Sequence, residues 1–333
     1  MEELGWEAML PALLAEAGFD AAGGFTVTSL TGGVSSDIVR VRLADGREVC
    51  AKRALAQLKV AAEWTAPLER NHYEADWLRR ATAIVPGSAP SVLAEDRANG
   101  IVLLDYLPPE DYLLWKTELL AGRADPRVPG AVAEALGRIH AATLNDADVA
   151  AAFPTDHLIE ALRLDPYLRH TASRHPDLAS RILAVAETTA RTKMALVHGD
   201  VSPKNILVAK ADGHPVLLDA ECAWYGDPAF DAAFCLNHLV LKSVHLPALR
   251  DELLRQAADF SATWLGHFPL SMRPAIDARV AALLPCLMLA RIDGKSPVEY
   301  LDEANRQRVR NMAMPMIASP LASVAAVLTE AGR

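Results

Sequence analysis

The chain has 333 residues, 51% of them hydrophobic, enough to build two lobes that each bury a core. A net charge of −9 and a pI near 5.6 leave no basic footprint for nucleic acid, while an acidic balance is compatible with a cationic substrate. Cys50, Cys222, Cys235 and Cys286 show neither C-x-x-C spacing nor disulfide-scaffold density, and Met1-Glu2-Glu3 lacks a basic signal-peptide start, so reduced thiols and a cytoplasmic location are expected.

Residues 6–17 carry a helical pattern that stops near Gly18. Residues 25–30 alternate as a strand and lead into a glycine-rich loop with Gly32, Gly33 and Ser35. Such a loop lets backbone N–H groups approach phosphate, and it also serves as a plain turn. Strands at 37–43 and 47–53 flank Asp45-Gly46, a strong hairpin signal. Lys52 lies on the second of these strands beside apolar neighbours. A buried lysine there needs an anion, such as phosphate; the alternative is an edge lysine snorkelling outward. Residues 67–81 read as a helix offering Glu69, Glu74 and Asp76, with Glu63 shortly before. Glu74 shares a partly apolar face with Leu78 and Ala81, which makes it the first candidate to hold Lys52, with Glu69 in reserve. Strands at 91–96 and 101–106 surround Asn99-Gly100, and Pro108-Pro109 follows. Beyond the prolines the pattern is mostly helical. The apolar run 281–290 is short, contains Pro285 and ends at Arg291, so it is expected to be a core helix and not a membrane span.

The most informative segment is His198-Gly199-Asp200-Val201-Ser202-Pro203-Lys204-Asn205, with Asp219 further on. Apolar residues 206–208 and 216–218 flank turn residues around Asp212-Gly213 and predict a hairpin. That hairpin sets Asn205 beside Asp219, two hard oxygen donors of the kind Mg²⁺ takes. Asp200, on the loop entering the same place, is a carboxylate able to accept a proton. A carboxylate base beside an Asn/Asp metal pair is the arrangement used for phosphoryl transfer from ATP. Glu221 would lie on the same face as Asp219 if the chain stays extended, and could add a metal contact. Asp227-Pro228 predicts a helix start, and Asp231 then falls among Phe230, Phe234 and Cys235, where a carboxylate must be satisfied. His140 reads as a packed or half-exposed helix residue.

His-Gly-Asp-x-x-x-x-Asn resembles the catalytic loop of the aminoglycoside phosphotransferase and choline kinase superfamily, relatives of the protein kinases. The run from Asp219-Ala220-Glu221 to Tyr225-Gly226-Asp227 is similar to methylthioribose kinases in particular, although those carry Ser where Asn205 stands. The resemblance implies an α+β, bilobal protein-kinase-like fold. It implies a β-rich nucleotide-binding N-lobe over 1–106 and a mostly helical C-lobe over 107–333 with the catalytic loop, the metal site and the acceptor site. It further implies ATP and Mg²⁺ as cofactors, Asp200 as the base, Asn205 and Asp219 as metal ligands, and Lys52 on the α/β-phosphates. Adenine would meet the backbone near Asp105 and Leu107, and His198 and Asp231 would brace the loop. Lys204 either faces the transferred phosphate or is solvated.

A small-molecule kinase acting on a hydroxyl of a metabolite or aminoglycoside-like acceptor is therefore expected, with no nucleic-acid or membrane partner. The alternative is a catalytically silent nucleotide-binding regulator, against which the presence of Lys52, Asp200, Asn205 and Asp219 together argues. Gly199, where protein kinases carry Arg, disfavours a protein substrate. Arg291 and Asp293 are candidates for the acceptor site; the competing reading is a helix C-terminus with a Gly stop.

Overall fold

The computed structural model describes residues 5–30, 36–55 and 67–333; Gly32, Gly33 and Ser35, like Glu63, lie outside the described residues. The chain divides into two compact units, Met1–Glu110 and Asp111–Arg333.

The first unit contains helix α1 (Trp6–Glu16), strands β1 (Phe25–Ser29), β2 (Ser36–Leu43) and β3 (Glu48–Ala54), helix α2 (Arg70–Ile84), and strands β4 (Val92–Asp96) and β5 (Ile101–Asp105). Its antiparallel sheet runs β1-β2-β3-β5-β4. The β2–β3 turn forms where expected: Gly46 takes φ +87°, and the Asp45 carboxylate accepts the Arg47 N–H at 2.9 Å. Leu10, Leu13 and Leu14 of α1 pack on Val39, Val41, Val49, Ala51, Ile101 and Leu103. Side chains alternate along a strand, so Val49 and Ala51 on that face send Cys50 and Lys52 to the other. Helix α2, which carries Glu74, packs against β3, β4 and β5. It begins three residues later than expected, because Pro67 and Leu68 first close a turn onto Arg70 and Asn71. It also runs further, to Ile84; the next residue, Val85, turns extended ahead of Pro86.

The second unit opens with β6 (Tyr112–Leu114), α3 (Trp115–Leu120), α4 (Arg127–Ala142), α5 (Ala147–Ala152) and α6 (Asp156–Ile159). A π-helical stretch, Glu160–Arg169, follows; Pro166 within it lacks the N–H that regular α-helical bonding would use. Next come α7 (His170–Arg174), α8 (Ala179–Arg191), β7 (Ala195–Val197), β8 (Ile206–Ala209), β9 (Pro215–Leu217) and β10 (Trp224–Gly226). The chain closes with α9 (Ala229–His245), α10 (Arg250–Gly266), α11 (Arg273–Asp293), α12 (Glu303–Ala318) and α13 (Val324–Gly332).

Helix α9 is buried on all sides except at its end and packs against α10 and α11. It starts at Ala229, just after the expected Asp-Pro signal. Asp227 accepts the Ala229 N–H at 3.0 Å and is clamped by Arg279 at 2.7 Å. Helix α11 holds the apolar run with Pro285 and continues through Arg291 to Asp293. Among the described residues no single helix is long and apolar enough to cross a membrane. The overall class is α+β, with a β-sheet first unit and a mostly helical second.

Candidate active site

Lys52 and Glu74 form a buried ion pair in the first unit: the ammonium lies 2.8 Å and 2.7 Å from the two carboxylate oxygens. Both residues are at most 4% exposed. Strand alternation delivers the lysine and the α2 register delivers the acid, whereas Glu69 stands at the helix start. A charge-assisted pair of this kind holds the ammonium in one position. At the end of β5, Asp105 gives its N–H to the Ser91 carbonyl (3.1 Å) and its carboxylate accepts the Ser91 N–H (3.2 Å). The half-buried chain then passes through Leu107.

In the second unit, β8 and β9 pair as a hairpin with Ile206 opposite Leu217 and Val208 opposite Pro215. The Leu218 N–H donates to the Asn205 carbonyl at 2.8 Å, so Asp219 follows directly on the residue facing Asn205. The Asn205 amide nitrogen donates to the Asp200 carbonyl at 3.2 Å, which leaves its oxygen as the atom it can offer a cation. Asp219 sits in the left-handed region with φ +67°. The chain does not stay extended beyond it: the Ala223 N–H closes a turn onto the Ala220 carbonyl at 3.0 Å. The turn, in place of strand alternation, brings a carboxylate oxygen of Asp219 within 4.8 Å of one from Glu221. An amide oxygen with two carboxylates is a donor set that fits Mg²⁺.

Asp200 is 3% exposed and meets Arg163 at 2.8 Å and Lys204 at 3.0 Å. Burial alone would raise the Asp200 carboxyl; the Arg163 guanidinium and then Lys204 outweigh it and hold the group well below the usual carboxylate range. Asp200 is therefore ionised and positioned. Arg163, from the π-helical stretch, also donates to the Gly199 carbonyl at 2.7 Å, and no sequence signal marked it. Gly199 itself takes φ +79°, and a Cβ there would stand 2.6 Å from the Cys222 carbonyl oxygen. This position accepts only glycine. Gly199→Ala is expected to cost roughly 1–3 kcal/mol through strain in the loop, read as a lower denaturation midpoint; an unchanged midpoint would contradict the close approach.

The loop is braced from below by Asp231, which is fully buried and accepts the His198 N–H at 2.7 Å and the Gly199 N–H at 2.8 Å. His198 is likewise buried and works as a spacer. Its Nδ1 accepts the Asp200 N–H at 3.1 Å, so Nε2 carries the proton and donates to the Leu218 carbonyl at 3.1 Å. Burial lowers its pKa, against the pull of Asp231 and Asp200. Of the two readings the sequence leaves for His140, packed or half-exposed, the structure has the packed one. It is fully buried, its Nδ1 accepts from the Trp264 indole at 3.0 Å, and its Nε2 donates to Asp231 at 3.1 Å. Because His140 sits 91 residues from Asp231, only the tertiary structure joins them.

Arg291 and Asp293 part company. Arg291 donates to the Ser296 hydroxyl at 2.8 Å, to the Ser296 carbonyl, and to the Tyr167 hydroxyl at 3.3 Å. Asp293 is taken up by Arg310 at 2.9 Å and His175 at 2.9 Å, a tie between α11, α12 and the end of α7.

The sequence matches the phosphotransferase enzyme family over residues 26–269. A methylthioribose kinase from Yersinia enterocolitica is 27% identical over 239 residues, covering 64% of this chain and 59% of that protein. One from Pectobacterium atrosepticum is 26% identical over 227 residues, with 60% and 56% covered. The chain thus spans less than two thirds of the length of these curated relatives. Among solved structures, an ethanolamine kinase from Plasmodium vivax aligns with a TM-score of 0.57 at 12% identity, over 89% of this chain and 84% of that one. A choline kinase from Streptococcus pneumoniae gives 0.53 at 12% identity, over 94% and 99%. These likenesses show a shared protein-kinase-like fold. By the family match, which extends over most of its length, the chain belongs to the phosphotransferase enzyme family.

Proposed function

We propose that this chain is an ATP-dependent small-molecule kinase that phosphorylates a hydroxyl of a metabolite or aminoglycoside-like acceptor. The observation that carries the reading is Asp200: a buried carboxylate kept ionised by Arg163 and Lys204, on a loop whose backbone is pinned by Asp231, next to the Asn205–Asp219 hairpin. In the reaction the acceptor oxygen bonds to the γ-phosphorus, the bond from that phosphorus to the β–γ bridging oxygen breaks, and ADP leaves. The hydroxyl proton passes to Asp200. Positioning and electrostatics dominate such a transfer, so a carboxylate that orients the hydroxyl is the central requirement. Mg²⁺, when bound, neutralises charge on the nucleotide phosphates. Asn205 and Asp219, with Glu221 beside them, are the residues that would hold it. In the first unit Lys52, fixed by Glu74, would take nucleotide phosphate oxygens, together with the N–H groups around Gly32, Gly33 and Ser35. The Asp105–Leu107 backbone would meet adenine, with the Asp105 N–H already committed to the Ser91 carbonyl.

The test is Asp219→Ala. It should weaken MgATP binding by calorimetry and abolish transfer while leaving the circular dichroism spectrum intact. Wild-type affinity and turnover in this variant would remove the metal assignment.

A further inference from the structure

Helix α9 is a core helix, yet its inward face carries His238 and Lys242, one turn apart and 7% and 2% exposed. The His238 Nε2 has no hydrogen-bond partner among the described residues. The Lys242 ammonium rests 3.2 Å from the centre of the Tyr300 ring, and among the described residues no carboxylate pairs with it. Among the described residues Arg291, from α11, hydrogen-bonds only to neutral groups, Ser296 and Tyr167, and its Nε is buried without a partner, as is the Tyr300 hydroxyl. Around Lys242 the Glu299 carboxylate is set against the Lys116 and Arg291 cations, and around His238 the Asp200 carboxylate is set against Arg291, Lys242 and Lys204. Glu299 is exposed and already bonded to Lys116 at 2.5 Å.

Burying cations without counter-charge is costly, and proteins retain such arrangements where an anion completes them. The cost is visible in the groups themselves. Burial, followed by Arg291 and Lys242, drives the His238 imidazole well below its ordinary pKa. Burial also pushes the Lys242 ammonium down to about 7, with Lys116 and Arg291 acting in the same direction.

The cluster reaches the proposed reacting carboxylate through one residue layer. Arg163, on Asp200 at 2.8 Å, lies over the Tyr167 and Phe234 rings at 5.7 Å each. Arg291 faces the same Tyr167 ring at 5.7 Å, and the His238 ring touches Phe234 at 5.5 Å.

We infer that Lys242, Arg291 and His238 form the recognition end of the acceptor site, and that the acceptor carries an oxyanion, carboxylate or phosphate, besides the hydroxyl that is phosphorylated. This rests on the kinase reading and narrows it: a cationic amino alcohol or aminoglycoside would meet like charge here, in spite of the chain's acidic balance. The unpartnered Tyr300 hydroxyl and His238 nitrogen complete the set of groups an oxyanion or its hydroxyls could engage.

Calorimetric titration at fixed ionic strength tests the inference, with D-gluconate and D-ribose 5-phosphate set against their uncharged counterparts D-glucitol and D-ribose, and against ethanolamine. At least one oxyanion should bind about tenfold or more tightly than its neutral counterpart and than ethanolamine. Lys242→Met and Arg291→Met should each remove about tenfold of that preference, the effect of losing one charge-assisted contact. Gluconate binding alone marks a carboxylate site, and ribose 5-phosphate binding alone a phosphate site. Lys242→Met should also raise the ligand-free Tm, because an unpaired buried cation gives way to an apolar chain of similar length. A lysine retained for packing on Tyr300 would instead lower it. Equal binding of charged and neutral probes, preference for ethanolamine, or a lower Tm with unchanged oxyanion preference would each overturn the inference. The titration needs no ATP, so an intact oxyanion preference in protein that transfers no phosphate would count against the kinase reading alone.

Discussion

Asp200→Asn is expected to lower turnover by about 10²–10⁴-fold, the range for a positioned acid–base group, with MgATP affinity nearly unchanged. The asparagine keeps the shape and can still accept from Arg163 and Lys204, but it cannot take the hydroxyl proton. Because the carboxylate is ionised far below neutrality, its protonation should not limit the rate in the neutral range. Lys52→Ala should behave differently and shift nucleotide affinity as well as rate, since it removes the cation of the Lys52–Glu74 pair. Steady-state kinetics with nucleotide titrations separate the two. Small and equal effects at both positions would contradict the division of labour.

Asp231→Ala should have the largest effect on stability. Its carboxylate accepts the His198 and Gly199 backbone N–H groups and the His140 ring N–H, all in a site closed to water. Removing it strands three buried donors, at about 3–5 kcal/mol, the range for breaking a buried charged network. For a unit of this size that is a fall in Tm of roughly 6–20 °C. Turnover measured well below the new Tm should also fall, because the loop presenting Asp200 has lost its anchor. Wild-type Tm and turnover together would show that the network is dispensable.

What the sequence made legible was local. The Asn205–Asp219 approach follows from a hairpin whose turn residues and apolar alternation fix the register, and Lys52 faces Glu74 because strand and helix periodicities can be counted from either side of residue 60. What it hid was tertiary. Arg163 lies 36 residues before the Gly199 carbonyl it binds, inside a π-helical stretch that a regular helical count would misphase. His140 reaches Asp231 from one helix and is itself held by the Trp264 indole from another. The sequence offers Asp293 together with Arg291 for the acceptor site. Helix α11 in fact continues through both, and two residues on a helix are separated by about 200°, so the pair points to opposite sides and Asp293 goes to Arg310. The Glu221 carboxylate reaches Asp219 by a turn that the left-handed Asp219 backbone begins, a conformation unusual for a non-glycine residue and unmarked in the sequence.

The most direct measurement is mass-spectrometric detection of phosphorylated product after incubation with MgATP and a panel of hydroxy acids, sugar phosphates, thio-sugars, hydroxylated amines and aminoglycosides, with ATP binding followed in parallel. A phosphorylated acceptor that requires Mg²⁺ is expected to form with wild-type protein and to be absent with Asp219→Ala. Normal MgATP binding by the wild type with no member of the panel phosphorylated would contradict it, and would leave a nucleotide-binding protein that does not transfer.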